Sequence, residues 1–393
     1  MKLESFRARF IILSAIVCIS GFSQGMLLPL ISFIFENREV SAAINGLHAS
    51  GLYIGVLLSA LFIEAPLRKY GFRPMIITGG AVVGLSLLAF PLLDTIWLWF
   101  ILRLIVGIGD NALHFSTQTW LTQSTPHHKL GKVIAFYGLF FSAGFMVGPK
   151  VSELVTIWEP LPFIVSGALT MMAWPLIFLL KDAENAKPED TGVQVSIFNT
   201  LKNFKDVLLT SWVAFLFPML YGVLEASLNS NFPVFAVRND FELSEITWIL
   251  PAFSFGAILL QVPIGGLGDK IGRAKLINIL LLFGAATFLM MEVFSGSFVM
   301  LLLSFMLAGI FVGSMYSLGI SYMTDITPRS NLPAGNLMAG IMFSLGSISG
   351  PIIGGAIIGM TGGAHYFTFF ALVILIIIAL NIVFTKRRHT AVQ

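Results

Sequence analysis

Twelve apolar runs, each long enough to cross a bilayer as a helix, recur along the chain and leave little alternative to a membrane fold. They begin near Phe10, Ala43, Met75, Trp97, Val133, Leu161, Val207, Ile246, Leu276, Phe298, Ala334 and Tyr366. One span takes about 20 mostly apolar residues. Lipid offers no partner to backbone N–H and C=O groups, so a spanning segment must be a helix or part of a closed barrel. Continuous runs, rather than alternating segments of about ten residues, select helices. With 56% hydrophobic and only 11% charged residues, the chain lacks the polar groups to cover a soluble globule of its size. The expected class is all-α integral membrane, with twelve transmembrane helices. The first run follows Lys2, Arg7 and Arg9 as a signal peptide would, but it continues to about Phe35 without a small-residue cleavage site. It reads as a retained helix.

Basic residues set the expected orientation. If the N-terminus is cytoplasmic, the inner segments carry Lys2, Arg7, Arg9, Arg68, Lys69, Arg73, Lys129, Lys132, Lys181, Lys187, Lys202, Lys205, Lys270, Arg273, Lys275, Arg329, Lys386, Arg387 and Arg388, whereas the outer loops hold Arg38 and Arg238. The positive-inside rule then puts both termini in the cytoplasm. The net charge of +3 is a topology signal rather than a nucleic-acid one. Cys18 is the single cysteine, which excludes a disulfide framework and a cysteine-based metal site. His127 and His128 lie in an expected cytoplasmic loop without metal-ligand spacing. No metal and no cofactor are expected, and the absence of a GxxxxGK[ST] loop speaks against ATP hydrolysis on this chain.

The apolar pattern breaks once, in "KDAENAKPEDTGVQ" with Pro188 and Gly192, followed by "SIFNTLKNFKDVL", which reads as an amphipathic interfacial helix. This divides the chain into a six-helix bundle over 1–181, a cytoplasmic linker over 182–206 and a second six-helix bundle over 207–393. The halves resemble one another. A constant offset of 202 aligns Gly107 with Gly309, Thr125–Pro126 with Thr327–Pro328, and Gly138, Phe141, Ser142, Gly144, Gly148 and Pro149 with Gly340, Phe343, Ser344, Gly346, Gly350 and Pro351. With small adjustments Gly71 meets Gly272 and Pro29 meets Pro233. Such duplications are how transporters build two bundles that rock about a midplane site.

On these residues the chain resembles the major facilitator superfamily over essentially its whole length. The loop "GGLGDKIGRAK" carries Gly265, Leu267, Asp269, Lys270, Gly272, Arg273 and Lys275 in the pattern of that family's loop motif. Arg103, Gly107 and Gly109 have the spacing of its RxxxGxG motif. "GFMVGPKVSE" from Gly144 and "GSISGPIIGG" from Gly346 look like its GxxxGP motif, associated with proton-coupled drug antiporters. The resemblance implies a secondary transporter of the cell membrane, multi-pass and bacterial, acting as a monomer on a small-molecule substrate and protons within the lipid bilayer, with no nucleic acid involved.

Two departures stand out. In "EAPLRKYGFRP", Glu64 occupies the place of the motif's first glycine and Arg68 that of its aspartate, so the first-half gate is expected to be held differently. Glu64 and Arg68 have the favoured acid-first i,i+4 order. Lys150 and Glu153 interrupt the antiporter motif of the fifth run, where the eleventh continues to Gly354 and Gly355; they suit an i,i+3 pair or snorkelling near the outer surface. Glycines four apart let a neighbouring backbone approach closely. Gly144, Gly148, Pro149, Gly346, Gly350 and Pro351 are therefore expected at helix interfaces, here between the two bundles.

The fourth run, "RLIVGIGDNALHFSTQTWLTQ", places ionisable groups in an otherwise apolar span. At about 100° per residue, Asp110 and His114 fall within about 20° of Arg103, and Thr117 and Gln118 within about 60°. The rise puts Arg103 roughly 10 Å from Asp110 along the axis, long for a direct contact. A charge at the bilayer centre costs at least about 2.5 to 3.5 kcal/mol, so such groups face a polar cavity or a partner. Loss of water favours a neutral acid and a nearby cation favours a carboxylate, so an acid whose surroundings alternate can load and release a proton. Asp110 is thus a candidate for proton or substrate coupling, the alternative being a structural pair with Arg103. His114 is either a partner in that chemistry or satisfied by one neighbouring hydrogen bond. The matching positions of the tenth run are Phe305, Val312 and Tyr316, so these charges belong to one half.

In the seventh run Tyr221, Glu225 and Asn229 share a face within about 80°, and Glu225 aligns with Gly21 of the first run. A carboxylate added to one half is a candidate for coupling or substrate contact. Ser20 and Gln24 are further cavity candidates. Aromatic residues, among them Phe22, Phe115, Phe140, Phe217, Phe232, Phe253 and Phe343, with Met26, supply candidate lining. An apolar, aromatic cavity with one or two carboxylates suits hydrophobic or cationic organic molecules better than sugars or phosphates. The expected function is proton-coupled efflux by alternating access, not enzymatic catalysis. The alternatives are a dedicated exporter of one endogenous metabolite, such as a metallophore or lipid-like product, and a non-transporting receptor or scaffold.

Overall fold

A computed structural model describes residues 6–126, 130–180, 197–328 and 331–392. All of its regular structure is helical, in the order α1 (Phe6–Asn37), α2 (Ala42–Ala60), α3 (Glu64–Tyr70), α4 (Phe72–Ala89), α5 (Ile96–Gln123), α6 (Leu130–Val151), α7 (Leu161–Ala173), α8 (Ile197–Arg238), α9 (Leu243–Ile271), α10 (Arg273–Val293), α11 (Phe298–Val312), α12 (Met315–Ile326), α13 (Leu332–Thr361) and α14 (Tyr366–Val392). Twelve segments are long and apolar enough to cross a membrane. The tenth, Phe298–Ile326, is broken at Gly313–Ser314 into α11 and α12. Short 3-10 turns at Ser152–Thr156 and Trp174–Leu179 close the fifth and sixth spans.

The chain forms two compact units, one of Met1–Asn37 with His48–Gly192, the other of Arg38–Leu47 with Val193–Gln393. The ten residues Arg38–Leu47 therefore group with the second half of the chain, where Ala42 joins its hydrophobic core and Asn45 Nδ2 donates to the Ser230 carbonyl at 3.0 Å. Of the expected linker, residues 182–196 lie outside the described residues, as do His127 and His128. The amphipathic stretch that follows is the start of α8, which continues to Arg238 with a kink at Ser211 (φ −135°, ψ 17°). Ser211 Oγ and Thr327 Oγ1 are hydrogen-bonded at 2.7 Å.

Local chemistry explains the ends that position the site. α5 stops at "STP", where Ser124 Oγ and Thr125 Oγ1 donate to the Trp120 and Leu121 carbonyls at 2.8 and 2.6 Å, and Pro126 cannot continue the helix. The loops joining α3 to α4 and α9 to α10 turn on Gly71 (φ 88°) and Gly272 (φ 89°), a left-handed backbone that favours glycine at the two positions the repeat pairs.

The glycine motifs pack differently from expectation. A Cβ on Gly144 would lie 1.8 Å from the Cys18 carbonyl oxygen, and one on Gly148 2.5 Å from that of Phe22, so α6 lies backbone to backbone on α1. Gly346 and Gly350 stand in the same relation to Met219 and Val223 of α8, at 2.1 and 2.4 Å. These glycines join the first and fifth, and the seventh and eleventh, spans inside each unit, rather than one bundle to the other. The reason lies on the partner helices: Gly21, Gly25 and Gly222 present equally bare backbone to Phe141, Phe145 and Phe343.

Candidate functional site

In the first unit, α1 and α5 bring four polar side chains together. Asp110 is 3% exposed and accepts hydrogen bonds at both carboxylate oxygens, from Ser20 Oγ at Oδ1 and from Gln24 Nε2 at Oδ2. His114 Nε2 stands 4.0 Å from Oδ2, beyond hydrogen-bond reach, and is buried without a hydrogen-bond partner among the described residues. A small cavity beside the carboxylate is lined by Ser20, Leu113, Thr170 and Trp174. Thr170 Oγ1 continues the polar seam to Ser23 Oγ at 3.0 Å, which accepts from Ser166 Oγ at 3.1 Å.

Arg103 does not meet Asp110. Its guanidinium, fully buried, donates from Nη2 to the Leu27 and Leu28 carbonyls at 3.2 and 3.4 Å, just before Pro29 of α1. Nε and Nη1 have no hydrogen-bond partner among the described residues. Both charges of α5 thus engage α1, one at its proline and the other one to two turns earlier. Gln118 lies apart from this group: it is exposed, and its carbonyl oxygen accepts from Thr122. Thr117, its neighbour, is buried and hydrogen-bonded to the Tyr137 hydroxyl at 2.6 Å.

In the second unit, the Tyr221 hydroxyl donates to Glu225 Oε1 at 3.3 Å. Tyr221 stacks on Phe343 (centroids 6.0 Å apart, planes at 25°), and Tyr316 meets Phe343 edge-on (5.5 Å, 79°). Asn229 shares the helix but bonds the Glu225 carbonyl at 2.8 Å, not its carboxylate. The repeat carries this arrangement into both units: His114 and Phe141, which align with Tyr316 and Phe343, also pack edge-to-face (4.8 Å, 81°). The same ring pair thus recurs in both units, with an imidazole in one and a phenol in the other; Asp110 lies 4.0 Å from the imidazole, whereas Glu225 is linked to its pair through Tyr221. Of the other expected lining residues, Phe217, Phe232 and Phe253 are buried in the second unit's hydrophobic cluster, whereas Phe140 is exposed and packs edge-on against Phe10.

The loop motifs differ between units as their sequences do. Arg273 donates to Asp269 Oδ1 at 2.8 Å, to Asp325 Oδ1 and to the Ser321 carbonyl at 3.0 Å. The corresponding positions in the first unit hold Phe72 and Gln123. There Phe72 stacks on Trp120 (5.6 Å, 4°), with the Arg9 guanidinium 5.2 Å over the Trp120 ring. Glu64 and Arg68 form the i,i+4 pair at 2.7 Å, and Lys150 and Glu153 the i,i+3 pair at 2.5 Å. The sequence reading missed His48. It is buried against Phe35 and Phe100 with Nε2 3.1 Å from the Ile96 carbonyl, and its signal was a lone imidazole in the apolar "GLHASGL". Among the described residues no group of three His, Cys, Asp or Glu could hold a metal ion.

The sequence pattern of the Major Facilitator Superfamily matches residues 13–244 and 219–392. The uncharacterized MFS-type transporter YfkF of Bacillus subtilis is 49% identical over 366 residues, covering 93% of each chain. Multidrug resistance protein 2 of the same organism is 24% identical over 398 residues, covering 97% of this chain and 96% of its own. The multi-drug resistance efflux pump PmrA homolog of Lactococcus lactis is 25% identical over 350 residues, covering 86% and 85%. Among solved structures, a mutant form of the nucleoside transporter NupG superposes with a TM-score of 0.81 at 16% identity, covering 96% of this chain and 99% of that one. An inward-facing, occupied bacterial homolog of the lysosomal transporter Spinster gives 0.73 at 15% identity, covering 96% of each. These two likenesses concern the fold. The duplicated helices, the loop motif and the match along nearly the whole sequence lead to one conclusion: the chain belongs to the Major Facilitator Superfamily, a multi-pass transporter of the plasma membrane and not an enzyme.

Proposed function

We propose that the protein is a proton-coupled efflux transporter for hydrophobic or cationic small organic molecules, with Asp110 carrying the coupled proton and Glu225 meeting the substrate's charge. The observation that carries the reading is the setting of Asp110, buried in the fourth span and hydrogen-bonded by two neutral donors of α1. A carboxylate held by an arginine would be fixed in its charged form. Arg103 instead serves the α1 carbonyls, which leaves Asp110 able to change charge when α1 moves relative to α5. Glu225, beside Tyr221 and the stacked Phe343, has the carboxylate-and-ring chemistry that organic cations favour. Relatives named as multidrug resistance proteins and efflux pumps favour export. The basic residues favour cytoplasmic termini, and the two halves serve as the rocking bundles, in a protein that acts as a monomer.

The test is reconstitution in proteoliposomes with a pH gradient and a lipophilic cation, tetraphenylphosphonium, as probe. The reading expects cation movement against its gradient together with an opposite proton flux recorded by a trapped pH dye. Transport of one metabolite only, with none of the lipophilic cations moving protons, would favour a dedicated exporter instead.

A further inference from the structure

A proton that loads Asp110 must reach a buried carboxylate whose two oxygens are covered from α1. Ser20 and Gln24, the donors that cover them, are neutral and do not exchange charge near neutral pH. The small cavity on the flank of the carboxylate adds the Thr170 hydroxyl, the Trp174 indole and aliphatic groups, none of which titrates there. One turn along α5 stands an imidazole. His114 Nε2 is 4.0 Å from Asp110 Oδ2, and the His114 side chain is 21% exposed where that of Asp110 is 5%. Gln118, one turn further, is exposed. Exposure thus rises turn by turn along one polar face, from Asp110 through His114 to Gln118, toward the end of α5 that stops before Pro126.

The imidazole is held but not satisfied. Phe141 of α6 packs on it edge-to-face at 4.8 Å, and Tyr137 of the same helix faces it at 6.4 Å with its hydroxyl engaged by Thr117 at 2.6 Å. Nε2 is buried without a hydrogen-bond partner among the described residues. Asp110 and Tyr137 are the titratable groups that face the ring. The repeat shows that the ring packing does not require an imidazole, because Tyr316 meets Phe343 in the same way where Val312 replaces the acid. We propose that His114 relays the proton between water and Asp110, a role that rests on the assignment of the coupled proton to Asp110. The gap of 4.0 Å is about 1 Å beyond hydrogen-bond reach, and a small rotation of the ring or one water closes it. A proton taken from water at Nδ1 makes the imidazolium. The Nε2–H bond then breaks as an O–H bond forms at Oδ2, leaving the ring neutral with its hydrogen on Nδ1. Release breaks and forms the same bonds in reverse.

Proteoliposomes carrying wild type, Asp110→Asn, His114→Gln or His114→Ala are compared with tetraphenylphosphonium as probe, a trapped pH dye recording proton flux and equilibrium binding recording affinity. Both His114 variants are expected to bind the cation as wild type does and to move protons about a hundredfold more slowly. Imidazole added to His114→Ala should restore the flux by about tenfold or more. Pyrazole, a ring of the same size that takes up no proton near neutral pH, should not. Should the alanine variant fail to fold, His114→Gln, which keeps a polar side chain, tests the relay through its proton flux at unchanged affinity. Wild-type flux in either variant overturns the relay, as does a loss of flux that follows weakened cation binding. Rescue by pyrazole equal to that by imidazole, or rescue by neither, also overturns it, since the ring would then be a packing group. Full flux in Asp110→Asn overturns instead the reading on which the relay rests, so the two failures are told apart.

Discussion

Gln24 of α1 donates its amide hydrogen to Asp110 of α5, and Ser20, one turn earlier, donates to the other carboxylate oxygen. The only acid of the fourth span is therefore held by the helix that also receives Arg103. Hydrogen bonds to a charged group contribute about 1.5 to 3 kcal/mol. Gln24→Leu is expected to lower proton-coupled transport about tenfold and, because it leaves a buried carboxylate oxygen without its donor, to lower stability by about 1 to 3 kcal/mol. Unchanged transport would show that the amide has no part in setting the charge of Asp110.

Glu225 gives a prediction about selectivity rather than rate. Replacing it by Gln keeps the shape and the Tyr221 contact but removes the charge. Binding of a monovalent organic cation should weaken by about tenfold or more, since losing one member of a buried charge pair costs about 2 to 5 kcal/mol, while a neutral analogue of equal size should change by less than about twofold. Equal losses for both ligands, measured by fluorescence quenching, would assign Glu225 a structural role.

The glycine pairs make a prediction about stability. Gly144→Ala and Gly346→Ala would drive a methyl group into backbone oxygens at 1.8 and 2.1 Å, whereas at the repeat-matched Gly138 and Gly340 a methyl group would meet nothing within 4 Å. The first two should each cost about 1 to 3 kcal/mol from overpacking, and the last two should be neutral or stabilising by up to about 1 kcal/mol because alanine favours helix. Thermal unfolding of the four variants in one detergent checks the ranking.

These motifs also show what a linear sequence reveals. The apolar runs at Val133 and Leu161 open within residues of the observed spans Val133–Thr156 and Leu161–Leu179, since length and hydropathy alone fix a membrane helix. The stripe of Asp110 and His114 was legible from helical period. The partner of Arg103 was not, because a carbonyl at Leu27 carries no side-chain signal. Nor was the partner of Gly144, as a glycine announces close approach but not to which helix. The break at Gly313–Ser314 was hidden for a related reason: it does not interrupt the run of apolar residues strongly enough to show, whereas α3 was foreshadowed by the acid-first i,i+4 order of Glu64 and Arg68.

The two loop contacts should respond differently to salt. Arg273 joins carboxylates that are largely exposed, 64% for Asp269 and 45% for Asp325, and such pairs contribute about 0.2 to 1 kcal/mol and are screened. Phe72, buried on Trp120, contributes by packing, so Phe72→Ala should cost about 3 to 5 kcal/mol. Hydrogen exchange of the α9–α10 turn should accelerate at high salt and in Asp325→Asn, while that of the α3–α4 turn, closed by Phe72 on Trp120, should respond less to salt. Matching salt responses in the two turns would contradict the difference in chemistry.

The most direct test of the account is proton flux in proteoliposomes containing wild type or Asp110→Asn, with tetraphenylphosphonium on one side and a pH dye trapped inside. The account predicts that wild type moves protons opposite to the cation, and that the asparagine variant binds the cation with unchanged affinity yet moves no protons with it. Full proton-coupled transport by Asp110→Asn would contradict the assignment of the coupled proton to this carboxylate.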